Sequence, residues 1–67
     1  MESTDDATIL AFLRENRAAL LDGQIAAGTG LRRQRVQTAL KRLRDRGVVA
    51  LEPVQVIKAR LDGFRAV

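Results

Sequence analysis

At Gly47 the hydrophobic pattern of this chain changes period, and that change restricts the fold more than any other feature. Upstream, apolar residues recur every three or four positions, the spacing of one helix face; downstream they come in short β-branched pieces. The 67 residues leave room for one domain, expected over 1–67 and near the lower limit for a core without staples. Cys and His are both absent. Disulfides, thiolate chemistry, the usual zinc sites and the commonest general base are therefore removed. The two aromatics, Phe12 and Phe64, leave the core to Leu, Ile, Val and Ala, and 46% hydrophobic content argues against a disordered chain.

The spacing predicts a first helix over about 5–17. Ser3 or Thr4 can cap it, Asp5 and Asp6 suit its positive end, and Ile9, Leu10, Phe12, Leu13 and Asn16 share one side. Ala18 to Leu21 reads as an apolar bridge, either extended or an ordered loop. Asp22 then caps a short helix over 23–27, with Ile25 and Ala26 inward, before Gly28-Thr29-Gly30 breaks the chain and Leu31 anchors it. A third helix over 33–46 carries a narrow stripe of Val36, Ala39, Leu40 and Leu43. Gln34, Thr38, Lys41 and Asp45 lie opposite, and Arg35, Gln37, Arg42 and Arg44 lie on the flanks. Gly47 closes it. Strands follow over 48–51 and 54–60, joined by a turn at Glu52-Pro53, with Val54, Val56, Lys58 and Arg60 on one side of the second. Asp62-Gly63 marks a further turn, and 64–67 adds a last strand or trails off. The fold class expected is α+β: mainly α, three helices with a small β-wing.

Charge is concentrated in one place. Residues 1–31 hold two basic and five acidic groups, net −3; residues 32–46 hold seven basic groups and one acid, net +6; residues 47–67 hold three basic and two acidic groups, net +1. A lone run of charge is usually a solvated face. Here six of the seven cations in 32–46 lie off the apolar stripe, only Arg32 falling near it. A Gly-containing turn between two helices, the second apolar on one side and basic on the other, makes a helix-turn-helix. Its opposite face fits a major groove about 12 Å wide, which favours binding of a polyanion over simple solvation.

The order Ile9-Leu10-Ala11-Phe12-Leu13, Gln24 to Leu31, Val36 to Leu43 and Gly47-Val48-Val49 resembles the winged helix-turn-helix regulators over about residues 7–52. The resemblance implies a double-stranded DNA-binding transcriptional regulator, and it carries the family's contact positions onto Arg33, Gln34, Arg35, Gln37, Thr38, Lys41 and Arg42. It departs from the family in two places. Arg32 stands where a Ser or Thr cap is common, a cation at the positive end of a helix that a nearby phosphate would offset. The expected wing tip, Glu52-Pro53-Val54, has neither Gly nor a cation, so Lys58 and Arg60 on the return strand become the wing's phosphate contacts.

Other chemistry is not indicated. The Gly-Thr-Gly stretch has no strand before it and no Lys-Ser/Thr after it, so the nucleotide-binding motifs are unmet. Capping and solvation account for Asp5, Asp6 and Glu15, and no enzyme, cofactor or metal is expected. No apolar run approaches the roughly 20 residues that span a bilayer, and the acidic N-terminus suits neither a signal nor a transit peptide. A cytoplasmic protein is therefore expected. A homodimer would need the N-terminal helix, the wing edge or DNA-templated pairing. Two alternatives stay open: a protein-docking module with Val54, Val56 and Phe64 exposed, and a structured-RNA binder of the ribosomal type.

Overall fold

The computed structural model describes residues 4–67. Three helices, α1 (Thr4–Asn16), α2 (Asp22–Thr29) and α3 (Arg33–Asp45), precede a hairpin of β1 (Val49–Val56) and β2 (Ala59–Ala66). Each helix sends its apolar stripe to one core: Ile9 and Leu13 from α1, Ile25 from α2, and Val36, Leu40 and Leu43 from α3 are fully buried. Phe12, Leu20, Leu31, Val48 and Phe64 pack around that centre. The α+β architecture with a wing is the one the sequence predicts. Among the described residues no helix is long and apolar enough to cross a membrane.

The helix ends follow local chemistry. Ser3 lies outside the described residues, and Thr4 is the first residue of α1. That helix stops at Asn16, because Arg17 adopts a left-handed φ of 52° while its N–H still reaches the Leu13 carbonyl at 3.2 Å. The chain then runs extended. Leu20 exchanges two backbone hydrogen bonds with Phe64, at 3.0 and 2.8 Å, so the apolar bridge is a third strand fragment lying beside β2. The cap of α2 is Leu21, whose N–H donates to Gln24 Oε1 at 2.9 Å; Asp22 sits inside the first turn, not at the cap.

Gly28 and Thr29 extend α2 rather than break it, and Gly30, at φ 76°, ends it. Gly28 is needed for closeness: a Cβ there would overlap the ring of Phe12, which lies across the α1–α2 contact. At the end of α3, Gly47 (φ 79°) turns the chain so that Val48 N–H reaches the Leu43 carbonyl at 3.2 Å. That paired closure aims the chain into the wing.

The wing differs from the expected one. Glu52 and Pro53 lie inside β1, opposite Gly63 and Asp62, and the hairpin turns at Ile57-Lys58. Pro53 is tolerated because β1 is an edge strand. The turn at Lys58 (φ 61°) uses no Gly, Asn or Asp, so the usual signal was missing. The former single strand over 54–60 is thus two strands. Val54 and Val56 share a face with Leu61 and Ala59, and Arg60 stands opposite Gln55. Phe64 belongs to the rim of the core and not to an exposed patch.

Gly28→Ala should lower stability by about 1–3 kcal/mol through overpacking against Phe12. Gly23→Ala, with nothing within 4 Å of the new Cβ, should be neutral or stabilise by about 0.5 kcal/mol. Urea midpoints of the two variants check both.

Candidate nucleic-acid interface

Helix α3 is apolar on one side only, so its remaining surface divides into an outer face and two flanks. At 100° per residue, Gln34, Thr38, Lys41 and, at the C-terminal end, Asp45 lie furthest from the buried Val36–Leu40–Leu43 stripe, and all four are exposed. Thr38 Oγ1 donates to the Gln34 carbonyl at 3.0 Å, which leaves its oxygen free to accept outward.

The flanks are held by carboxylates from the starts of the other two helices. On one side Arg35 forks onto Asp5, with Nε to Oδ2 at 2.9 Å and Nη2 to Oδ1 at 2.8 Å. Next to it Arg42 forks onto Asp6, with Nη2 to Oδ1 at 2.8 Å. Asp6 is only 4% exposed, and this pair therefore ties α1 to α3 at the edge of the core. The Asp6 carboxylate pushes the Arg42 pKa up by accepting its hydrogen bonds. On the opposite flank, Asp22 accepts from Gln37 Nε2 at 2.8 Å and from Arg33 at 3.2 and 3.3 Å. Those donors, Gln37 first and then Arg33, hold the Asp22 carboxyl below its ordinary pKa of 3.8.

The structure thus brings Arg33, Gln34, Arg35, Gln37, Thr38, Lys41 and Arg42 onto one surface, four of them engaged by carboxylates. Arg32 stands at the cap of α3 without a side-chain cap bond. Lys58 sits at the tip of the wing, where the sequence pattern expected no cation, and Arg60 lies on β2 near it. Arg32, Lys41, Lys58 and Arg60 make no ion pair among the described residues. Asp5, Asp6 and Asp22 are the residues that sequence reasoning missed as partners of α3. The available signal was the −3 charge of 1–31 facing the +6 of 32–46, but acids in a first helical turn are already explained by capping. No group of three or more Asp or Glu is arranged to hold a metal among the described residues.

Arg42→Ala should lower the thermal midpoint more than Arg35→Ala, because it strips a charged partner from a buried carboxylate, whereas the Asp5 carboxylate is 16% exposed. Differential scanning calorimetry compares them. The pH behaviour of Asp22 has a definite sign. A carboxyl with a lowered folded pKa stabilises fully above its unfolded value, and that stability is lost as pH falls from 3.8 through the folded pKa. The difference in urea midpoint between wild type and Asp22→Asn should therefore be constant at neutral pH and shrink below pH 3.8.

A family model described as the MarR family matches residues 3–56, most of the chain and all three helices. No curated protein and no solved structure matches the chain. With three helices, a basic α3 set on the core by its apolar stripe, and an antiparallel wing behind it, the chain belongs to the MarR family of winged helix-turn-helix DNA-binding transcription regulators.

Proposed function

We propose that the chain regulates transcription by laying α3 in the major groove of double-stranded DNA. The observation that carries this reading is the outer face of α3. Gln34 and Thr38 offer hydrogen-bonding groups at its N-terminal half, where a recognition helix meets base edges, and Lys41 extends the same face. Arg32, Lys41, Lys58 and Arg60 supply phosphate contacts. Arg33, Arg35 and Arg42 add to them without leaving their carboxylates, since their side chains stay 68%, 62% and 47% exposed. Lys58 at the hairpin tip gives the wing its own backbone contact. Two copies on paired half-sites follow the usual helix-turn-helix arrangement.

A second reading, docking of a protein partner, is favoured by one observation. The outer wing exposes Ile57 (90%) and Leu61 (47%), both large and apolar. Salt separates the two readings. Binding to duplex DNA should weaken with salt, and each phosphate contact should contribute about 0.9 to the slope of log affinity against log salt. Lys41→Ala and Lys58→Ala should each flatten that slope by about this amount, while Arg14→Ala, on α1, should leave it unchanged. Affinity for duplex DNA that is negligible, or indifferent to loss of Lys41 and Lys58, would favour docking through the wing. Preferential competition by structured RNA would move the target class from DNA to RNA.

A further inference from the structure

Gln37 and Arg33 share one carboxylate, and the sharing removes a freedom that the Gln37 amide would otherwise have. Asp22 Oδ1 accepts from the Gly23 N–H at 2.8 Å and from Arg33 Nη2 at 3.2 Å. Its Oδ2 accepts from Gln37 Nε2 at 2.8 Å and from Arg33 Nε at 3.3 Å. An ionised carboxylate accepts and cannot donate, so Gln37 can approach it only through nitrogen. Oε1 is thereby turned away from Asp22, and one Nε2 hydrogen remains uncommitted. Gln34, one turn earlier, has no such restraint and can offer either end of its amide.

Building on the DNA-reading role above, we propose that Asp22 is a positioning residue that fixes Gln37 as a hydrogen-bond acceptor toward the bases, so that α3 selects adenine at the position Gln37 meets and rejects guanine there. In the major groove adenine presents the N6 amino donor beside the N7 acceptor, whereas guanine presents O6 and N7, both acceptors. The held amide, with Oε1 free and one N–H left, complements adenine on both atoms. Cytosine, through its N4 amino group, satisfies Oε1 alone. Against guanine, Oε1 faces O6, and two lone pairs lose their water without gaining a donor. Asp22 also brings a negative charge toward the phosphates, so it narrows sequence choice at the expense of affinity for random duplex.

Two measurements on the full chain test this. In ¹⁵N-resolved NMR without DNA, the Gln37 side-chain amide signals should move as Asp22 is protonated below pH 3.8, with Gln55 on the wing as the still control and with the shift absent in Asp22→Asn. In selection from a randomised duplex pool, wild type should enrich adenine at a position whose preference vanishes in Gln37→Ala. Asp22→Asn, whose amide can also donate to Gln37 Oε1 and so release the flip, should admit guanine at that position. It should lose most of a preference of about 5- to 150-fold while binding random duplex at least as tightly. An Asp22→Asn variant that keeps the adenine preference, or wild-type Gln37 signals that ignore the titration, would overturn the inference. Wild type that binds no duplex overturns instead the DNA reading on which it rests, whatever the amide signals do.

Discussion

One helix has to be buried and displayed at once, and the rest of the structure is arranged around that conflict. Helix α3 is the most cationic element of the chain, yet Val36, Ala39, Leu40 and Leu43 place a side of it in the core. The stripe is narrow but at most 1% exposed, so hydrophobic burial sets both the depth and the rotation of α3. Polar ties then hold its flanks. Asp5 and Asp6 pull on Arg35 and Arg42 from one side, and Asp22 pulls on Arg33 and Gln37 from the other. The outer face that results, Gln34, Thr38 and Lys41 with Asp45 at its C-terminal end, is what remains after both flanks are taken.

Those carboxylates also temper the field of α3. A helix with net +6 over 32–46 would bind any polyanion strongly and with little discrimination. Neutralising its flanks, while Arg32, Lys41, Lys58 and Arg60 make no ion pair among the described residues, lowers the positive field along the sides of α3 and leaves it at the helix start, on the outer face and on the wing. The burial of Asp6 makes one of these pairs a joint of the fold as well. Asp22 is shallower, and its principal consequence is orientation.

The wing shows how far local signals carry. A Pro after a Glu reads as a turn, and an Ile-Lys pair does not, so the pattern placed the hairpin tip at Glu52-Pro53. Pairing decided otherwise: Gly63 lies close against Val54 and Ala19 and faces Glu52 across the ladder. That register leaves Ile57-Lys58 as the two residues that must reverse the chain. The same pairing recruited Leu20 to β2 and moved Phe64 into the rim of the core. In α2, likewise, two glycines looked like a break, while the Phe12 ring required one of them inside the helix.

Periodicity, a charge run and a Gly turn were enough in the sequence to set three helices, a β tail, the core residues of each helix and the cationic character of α3. These are local properties, governed by spacing along one element and by the conformational range of single residues. Which acid meets which cation, where the hairpin turns, and which end of the Gln37 amide faces outward were decided only by the tertiary structure. Each depends on residues brought together from distant parts of the chain, such as Asp6 with Arg42 and Asp22 with Gln37. An acid at a helix start looks the same in sequence whether it caps its own turn or holds the neighbouring helix.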